Sequence, residues 1–513
     1  MTDYNNKEIL EKYGVDYLLV NSTNEFLVEY SLPEENSRYK LTNFSGSTGD
    51  ALLTPDTIFL FVDGRYHIQA DQEVDHSKVH VVKLQTGQKF IEELALLVGK
   101  NKTVGIFSKK NSQFSIEQFA KYFPIKLLDD DIFTPSHCIQ NLKIENAPGI
   151  SAEEKVEGIQ SIMSEDEIIV ITNAEEVSYL FNKRSYSIPY ASKIYGKAII
   201  KKDAVELYTL GEFEKFYEEI NSFNGKIFVD KKTITGFDYN LIREKAIEMK
   251  ENPIRLIKSI KTDAEIDHLN CAFEKTDKAL LAVRDYINKN SNISEQNIAE
   301  KLIEEFYKQG AKGLSFKPIV AKDKNSALAH YSKNSPDEII TDGSLVLIDC
   351  GAYFEEGLAT DITRVFVKGT PTDLQKQVYT TVLKTFLTCY NSQIFETGYD
   401  IDATARFTIQ KNLIENFVFN HGLGHGIGIS VHENPPSLSP SELGKACLKN
   451  NMCFTIEPGL YNEKHFGIRL ENSCYLNNGI ITSFSNMPFE KKLINYDLLT
   501  EQEKIWLEEF EVI

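Results

Sequence analysis

The sequence has no excess of basic residues: 56 Lys and Arg stand against 75 Asp and Glu, and the net charge is −19 at pH 7. Because nucleic acids are held mainly by clustered Lys and Arg, this balance argues against a DNA or RNA partner. No apolar run approaches the roughly 20 residues needed to cross a bilayer, and the opening stretch MTDYNNKEIL lacks the apolar core of a signal peptide. These absences predict a cytoplasmic protein without a membrane partner.

Paired cysteines are also missing. The seven cysteines are scattered along the chain, and no two of them form a CxxC motif. This pattern predicts free thiols in a reducing cytoplasm. Cys350 stands next to Asp349, and we interpret it as a small packed residue rather than a nucleophile or a metal ligand. The reason is that strand alternation turns its side chain to the opposite face from Asp349.

At 513 residues the chain is too long for one hydrophobic core, and its 42% hydrophobic and 26% charged content is typical of globular proteins. Residues 1–145 alternate apolar strands with helical stretches, and a second α/β pattern fills residues 146–256. Long amphipathic helices replace this pattern in residues 257–513. The sequence therefore predicts three domains of mixed α/β and α+β class. Within the first, Asp63 and Arg65 follow a strand, which favours a turn with local polar contacts over a substrate contact.

The third domain repeats one order of elements. Two helices precede the hairpin-like stretch LVLIDCGAYFEEGLATDITRVFV, and two more precede CFTIEPGLYNEKHFGIRLENSCYL. Thr262, Ser294 and Thr372 are placed to cap the N-termini of three of these helices. Each hairpin carries two carboxylates, so a pseudo-twofold arrangement would bring all four to one site.

These carboxylates are Asp349 and Asp361 in the first hairpin, and Glu457 and Glu471 in the second. A carboxylate that ends a strand as apolar as LVLI is costly to bury unless a cation offsets its charge. Together with one histidine from the intervening loop FNHGLGHGIGISVHENPP, they form an oxygen-rich site that favours Mn, Co or Fe. Four negative charges neutralise two divalent ions, and ions about 3.5–4 Å apart polarise a carbonyl and lower the pKa of a bridging water. The pattern predicts a hydrolytic two-metal site.

These motifs resemble those of the M24 metallopeptidases, which include methionine aminopeptidase, prolidase and aminopeptidase P. The resemblance rests on IDCGAYFEEGLATDITR, HGLGHGIGISVHENPP, TIEPG and GIRLEN, and on FSGSTGDALLT, VDGRYHIQAD and YLFNKRSYSIPYASKIYGKAII before them. It implies the three-domain aminopeptidase P type: creatinase-like α/β domains at 1–145 and 146–256, then a pita-bread catalytic domain at 257–513. The implied activity is release of the N-terminal residue from peptides with proline at the second position, by a protein that usually dimerises.

The resemblance also implies a ligand set for two divalent ions, most often Mn²⁺ in this type. Asp349 and Asp361 would hold one ion, His425 and Glu457 would complete the shell of the other, and Glu471 would bridge both. Glu457 would also accept a proton and return it to the leaving proline nitrogen. One departure is visible, because Asp349 and Asp361 are separated by one residue more than usual. In the turn FEEGLA the extra residue is harmless, whereas in a strand it would turn one aspartate away; the undisturbed alternation favours the turn.

Three histidines and one arginine complete the implied site. His330, in LAHYS, and His432 would stabilise the substrate carbonyl oxygen as it becomes negative. His421 would shape the pocket for proline. By spacing, Arg469 stands two residues before Glu471 on the same face of one predicted strand, so it can hold that carboxylate from behind.

Two other functions stay open on the sequence. A prolidase would cleave only Xaa-Pro dipeptides in a site closed around a free carboxylate, although the two N-terminal domains argue for aminopeptidase P. A pita-bread protein that only binds partners would have lost its metal ligands, whereas all five are present here. Metal content separates an enzyme from a binding protein, since the first needs about two ions per chain.

Overall fold

The computed structural model describes residues 4–85, 87–134, 142–392 and 395–510. The chain divides into two compact units: residues 1–189 with 193–254, and residues 190–192 with 255–513. The first unit contains two separate sheets, which correspond to the two α/β patterns of the sequence. The three domain limits themselves stay predictions. Among the residues that are described, no helix combines the length and the apolar character needed to cross a membrane.

The first sheet of the first unit has six strands: β1 (Tyr17–Val20), β2 (Asp50–Leu53), β3 (Ile58–Val62), β4 (Val79–Lys83), β5 (Val104–Phe107) and β6 (Ile125–Leu128). Their spatial order is β4-β3-β2-β1-β5-β6. Both faces are covered, because neighbouring residues such as Leu18 and Leu19 belong to different apolar clusters. The helices of this part are α1 (Asn6–Tyr13), α2 (Ser37–Thr42), α3 (His67–Glu73), α4 (Phe90–Val98) and α5 (Gln113–Phe119).

The turn after β3 contains Asp63 and Arg65. The Arg65 backbone N–H donates to Asp63 Oδ1 at 3.0 Å, and its guanidinium donates to both carboxylate oxygens at 2.9 and 2.7 Å. The pair therefore makes the local polar contacts of a turn, as the sequence indicated.

The second sheet has five strands: β8 (Glu167–Ile171), β10 (Gly196–Ile200), β11 (Val205–Thr209), β12 (Lys226–Val229) and β13 (Ala246–Glu248). They lie in the order β11-β10-β8-β12-β13. A short ladder joins β7 (Glu145–Asn146) to β9 (Lys183–Arg184). The accompanying helices are α6 (Ala152–Ile162), α7 (Ala174–Leu180), α8 (Phe213–Ser222) and α9 (Gly236–Ile242).

Helices dominate the start of the second unit. After α10 (Pro253–Ser259), the long helices are α11 (Asp263–Lys289), α12 (Glu295–Lys308), α13 (Asp373–Tyr390) and α14 (Gly398–Lys411), with α15 (Glu501–Leu507) near the end. Thr262, Ser294 and Thr372 each accept a hydrogen bond from the third residue of the helix that follows, and that residue's side chain bonds back. The three predicted N-caps are therefore confirmed as reciprocal capping boxes.

Two three-stranded sheets follow the helix pairs, in the repeated order that the sequence predicts. The first contains β15 (Ile319–Lys322), β16 (Leu345–Cys350) and β18 (Ile362–Val367); the second contains β21 (Cys453–Ile456), β24 (Asn472–Asn477) and β25 (Ile480–Ser483). The two-stranded ladders are β14 (Gly313–Leu314) with β17 (Ala352–Tyr353), β19 (Gly424–His425) with β20 (Ser437–Leu438), and β22 (Gly459–Tyr461) with β23 (Gly467–Arg469).

Strand β16 is buried on both faces. Leu345 and Leu347 pack in one apolar cluster, whereas Val346 and Ile348 pack in another. Asp349 continues the face of Leu345 and Leu347 by strand alternation. An acid is thus placed at the end of a fully buried strand, where its charge needs a partner.

Candidate active site

The two acid-bearing hairpins meet beside β18. Asp349 on β16 stands opposite Thr363 on β18. The backbone N–H of Glu471 donates to the Thr363 carbonyl at 3.1 Å, and the Ser473 hydroxyl donates to the Asp361 carbonyl at 2.8 Å. Because these bonds dock the second hairpin on β18, the acids of both hairpins reach the same place.

The connection between Asp349 and Asp361 leaves the paired strands undisturbed. β16 and β18 pair in register over six residues each. The chain reverses in residues 354–357, where the Gly357 N–H donates to the Phe354 carbonyl at 3.1 Å. Gly357 has a φ of 68°, a left-handed conformation that glycine adopts without strain. The irregular residues therefore lie in the turn, where the sequence favours placing the extra residue.

Asp361 and Glu471 are buried, Asp349 and Glu457 are half-buried beside them, and the carboxylates repel one another. Burial and the charges of neighbouring carboxylates, first among them Glu471 and Asp349, raise the pKa of Asp361 well above its usual range. Burial and the charge of Asp349 raise the pKa of Glu471 to about 8, although Arg469 opposes the rise. Like charges at this range disfavour ionisation unless a cation joins them.

His425 turns one ring nitrogen towards these acids. Its Nδ1 lies 3.0 Å from the Gly426 carbonyl oxygen, to which it donates, so in this tautomer Nε2 carries the lone pair. That Nε2 lies 3.5 Å from Asp361 Oδ2 and 3.7 Å from Glu457 Oε1. The backbone N–H of His425 donates to Thr455 Oγ1 and fixes the strand beneath the ring. Metal-ligating histidines are usually held in this way, with the other nitrogen on a carbonyl or carboxylate.

The donor set fits divalent cations. Asp361, His425 and Glu471 each offer a ligand atom, and these atoms all lie within 4.8 Å of one another. Asp349 adds Oδ1, which is buried and has no hydrogen-bond partner. A buried oxygen of this kind is costly unless a cation or a proton meets it. With Glu457 beside His425, the set contains hard oxygen donors and one imidazole, which suits Mn²⁺ and similar ions.

Arg469 is buried as expected, but its nearest carboxylate differs from the expected one. Its Nη2 donates to Asp349 Oδ2 at 2.6 Å, while Nε reaches Glu471 only through the Thr363 hydroxyl, over 3.1 and 2.7 Å. The physical reason is a break in the strand, since β23 ends at Arg469 and β24 begins at Asn472. Glu471 therefore lies between two strands rather than inside one, and the direct contact predicted with Arg469 is corrected to Asp349.

Tyr461 was not predicted as a site residue, yet it links Arg469 to His421. Its hydroxyl accepts from Arg469 Nη1 at 2.9 Å and lies 2.8 Å from His421 Nε2. His421 Nδ1 lies 2.7 Å from the Gly422 carbonyl, so the tautomer that satisfies every partner donates there and accepts the tyrosine O–H at Nε2. The sequence did contain a signal, because Tyr461 follows E-P-G and its strand pairs across NEKHF with the strand of Arg469.

The remaining predicted histidines lie around the same residues. The ring of His432 stands edge-on to His425, with centroids 4.5 Å apart and an interplanar angle of 84°. His330 is half-buried in the turn after the 3-10 helix Asp323–Ala327, and the carbonyl of the preceding Ala329 accepts from Arg469 Nη1 at 3.3 Å. His432 thus contacts His425, while Arg469 is joined to His421 through Tyr461 and to the residue before His330 directly.

Cys350 faces away from the acids. It is buried in the apolar cluster of Val346 and Ile348, and burial raises the pKa of its thiol well above the usual range. A protonated, enclosed thiol is a packed residue, in line with the alternation argument. The six cysteines within the described ranges are all free thiols.

Three family models match the chain. The model described as "Metallopeptidase family M24" covers residues 267–478, and two described as "Creatinase/Prolidase N-terminal domain" cover residues 5–126 and 133–214. Residues 267–478 therefore match metallopeptidase family M24, and the two stretches before them match creatinase/prolidase N-terminal domains. The predicted family and fold class, with two creatinase-like domains before a pita-bread domain, are confirmed by these matches.

Relatives of this protein match almost its full length. "Probable Xaa-Pro aminopeptidase P" from Laccaria bicolor is 28% identical over 98% of this chain and 88% of its own. "Xaa-Pro aminopeptidase 1" from Dictyostelium discoideum is 26% identical over 97% and 89%. The crystal structure of an X-prolyl aminopeptidase from Caenorhabditis elegans, described as a cytosolic enzyme with a di-nuclear active site, has a TM-score of 0.87. It covers 96% of this chain and 90% of that one at 20% identity, which shows a shared fold.

Proposed function

We propose that this protein is a two-metal Xaa-Pro aminopeptidase, which releases the N-terminal residue from peptides with proline at the second position. The observation that carries the proposal is the convergence of buried carboxylates and His425 Nε2 where the two hairpins meet. The names of the relatives from Laccaria and Dictyostelium support the same activity.

Two divalent ions, with Mn²⁺ as the first candidate, belong to this proposal. Asp349 and Asp361 would hold one ion, His425 and Glu457 the other, and Glu471 both. When bound, the ions supply an activated water and polarise the scissile carbonyl. The description of the Caenorhabditis structure as di-nuclear supports two ions, and the oxygen-rich donor set supports Mn²⁺.

Glu457 is the residue that moves the proton. Its carboxylate follows β21 and lies between His425 Nε2, at 3.7 Å, and Arg469 Nε, at 4.0 Å. From this position it accepts a proton from the attacking water and returns it to the proline nitrogen. That nitrogen must be protonated before it leaves, so general acid catalysis is required.

His432 and His330 are the donors for the carbonyl oxygen. Donors aimed at the place where negative charge develops give large transition-state stabilisation. The ring of His432 meets His425, and His330 follows Ala329, whose carbonyl is held by Arg469. His432 is therefore packed against a proposed ligand, and His330 follows a residue that Arg469 holds.

His421 shapes the side of the site that receives proline. A proline after the scissile bond offers no N–H and has a fixed ring, so the site needs an apolar wall rather than a hydrogen-bond acceptor. His421 packs edge-on against Phe419, with ring centroids 4.9 Å apart, and the two rings provide such a wall. The carboxylate-rich metal site attracts the free ammonium of the substrate, which selects chain ends.

A cytoplasmic homodimer is the form we propose for the enzyme. The family resemblance supports the dimer, and the Caenorhabditis enzyme is described as cytosolic. The net charge of −19 supports peptide substrates over nucleic acids. Light scattering after size exclusion gives the assembly directly, as a mass of about one or two chains.

The proposal is tested by peptide hydrolysis with Mn²⁺-loaded protein. We expect one residue to be released from Xaa-Pro-Yaa peptides and longer ones, a strong fall when alanine replaces proline, and no cleavage when the amine is acetylated. Cleavage of Xaa-Pro dipeptides alone would establish a prolidase instead. Equal cleavage of Xaa-Ala-Yaa would remove the proline argument, and an inert protein that binds no metal would be a binding protein.

A further inference from the structure

A second buried charge cluster lies directly behind the site histidines. Glu433, the residue after His432, receives two lysines: Lys258 Nζ at 3.1 Å and Lys261 Nζ at 2.9 Å. The three side chains are only 1–3% exposed. None of them is a ligand or a proton carrier in the proposed reaction, so the cluster needs another explanation.

Glu433 is also bonded into the loop that carries the histidines. Its Oε2 accepts from the Ile429 backbone N–H at 2.9 Å, and its own N–H donates to the Gly426 carbonyl at 2.8 Å. Gly428 leaves room for the carboxylate, because a Cβ at that position would overlap it. The carboxylate thus ties together both sides of the loop between His425 and His432.

The lysines anchor this loop to a separate segment. Lys258 lies near the end of α10, and Lys261 precedes the capping box of α11. The Lys261 N–H donates to the Asn451 carbonyl at 2.9 Å, and its Nζ also donates to the Lys258 carbonyl at 2.8 Å. The Lys261 ammonium is therefore held by a second bond besides the one to Glu433.

Stability alone does not explain three buried charges. Replacing a buried ion cluster with packed apolar residues is often neutral or stabilising, while removing one member is strongly destabilising. What the ions add is geometry, since charge-assisted hydrogen bonds have defined lengths and directions. The next residue along the chain is His432, whose ring meets His425 edge-on.

We propose that Glu433 is a positioning residue: clamped by Lys258 and Lys261, it fixes the loop so that His432 stands edge-on to His425. The consequence for catalysis rests on the proposed function, in which His432 donates to the carbonyl oxygen. Glu433 itself touches neither substrate nor metal in this scheme and acts through its neighbour.

A double-mutant cycle between Glu433→Gln and His432→Ala tests the proposal. With metal content matched by elemental analysis, Glu433→Gln should lower kcat roughly 10–100-fold, the range for partners that orient active-site groups. If Glu433 acts through His432, the double variant should be no slower than His432→Ala. Losses that multiply would overturn the proposal. If Glu433→Gln fails to fold, Lys261→Met takes its place in the cycle. This variant leaves Glu433 paired with Lys258 alone, so we expect a smaller loss of kcat that is likewise not additive with His432→Ala.

The matched control is Glu503→Gln. Glu503 pairs with Lys384 at 2.9 Å, and the two side chains are 11% and 10% exposed, so another buried Lys–Glu pair of the same unit is broken. Lys384 also bonds the Leu498 carbonyl, near the last helix. This variant should lower the Tm and leave kcat unchanged. An equal fall in kcat for Glu503→Gln would assign the Glu433 effect to general destabilisation and overturn the proposal.

Histidine NMR separates this proposal from the proposed function. The chain has ten histidines, and with ring-¹³C labelling the His432 signal is assigned by its absence in His432→Ala. Glu433→Gln should shift or broaden that signal, whereas Glu503→Gln should not. An unchanged His432 signal would overturn the positioning role whatever the activity. A protein that cleaves no peptide but shows the shift would refute the proposed function and keep the positioning role.

Discussion

Two equally buried glutamates in this protein have opposite electrostatics. Burial and the charge of Asp349 raise the pKa of Glu471 to about 8. For Glu433, burial raises the pKa, but the charges of Lys258 and Lys261 outweigh it and lower the value to about 2. The chain supplies its own cations to Glu433 and leaves Glu471 to cations from solution. A buried carboxylate therefore indicates a metal only where the protein's own ammonium and guanidinium groups do not already balance the charge.

The largest expected effect comes from removing His425, the nitrogen donor beside the carboxylates of the proposed metal site. His425→Ala should abolish peptide hydrolysis. The loss should exceed roughly 100-fold, which is the largest effect expected for a residue that only hydrogen-bonds a metal ligand. The fold should persist, because His425 pairs with Ser437 through its backbone. Circular dichroism and turnover at limiting Mn²⁺ measure the two properties. Near-normal turnover would show that the acidic cluster is not the metal site.

The pH dependence of stability in Glu433→Gln tests whether Lys258 and Lys261 balance the charge of Glu433. Removing one member of a buried ion cluster costs about 3–5 kcal/mol. The folded pKa of Glu433 lies below its unfolded value of about 4.3, so its stabilisation is present above that value and declines as the pH falls towards 2. Urea unfolding of wild type and variant should therefore differ most near pH 7 and converge in acid. A difference that grows in acid would contradict the lowered pKa.

Arg469 donates to Asp349 inside the acidic cluster, and Arg469→Lys tests how far this guanidinium balances the charge. A lysine keeps the positive charge, but its single ammonium cannot bond Asp349, Tyr461 and Thr363 together, as the guanidinium of Arg469 does. Metal retention on dialysis or turnover should fall about 10–100-fold. The control is Arg65→Lys, which breaks the two-bond contact between the Arg65 guanidinium and Asp63 in the first unit. It should leave metal retention and turnover unchanged. Equal metal retention together with equal turnover in the two variants would rule out this role for Arg469.

The smallest expected effect is the number of protons released when Mn²⁺ binds. In the metal-free protein the pKa of Glu471, raised to about 8, keeps a proton on the cluster at pH 7, and the pKa of Asp361 is raised in the same direction. Ligands must lose their protons to bind a metal, so Mn²⁺ should release protons at pH 7, with less release above pH 8. Calorimetry in buffers of different ionisation enthalpy measures this number. Release of no proton at pH 7 would contradict the raised values, and Glu433→Gln should release as many as wild type.

The sequence was sufficient wherever the signal is local. The caps at Thr262, Ser294 and Thr372 each lie three residues from their partners, and all three formed. The acids were found because each stands within a residue or two of an apolar strand, as Asp349 and Glu457 do. Local order also predicted the repeat of helices and hairpins.

Partners distant in the chain were missed or misassigned. Lys261 lies 172 residues from Glu433, and Asp349 lies 120 residues from Arg469. A sequence pattern shows that a residue is charged and near a strand, but which opposite charge it meets depends on how separate segments pack. Strand β23 ends at Arg469 and β24 begins at Asn472, and nothing in the alternation of GIRLENSCYL predicted that break.

Because Gly428 and Glu433 lie so close together, substitutions at the two positions should be coupled in evolution. A methyl group at 428 would occupy the space of a carboxylate that two lysines hold in place. Alanine can therefore be accepted at 428 only after the glutamate has gone, and once present it blocks the glutamate's return. Among descendants of a common ancestor, we expect glycine with glutamate or a joint replacement of both, and chains that carry one change without the other should be rare.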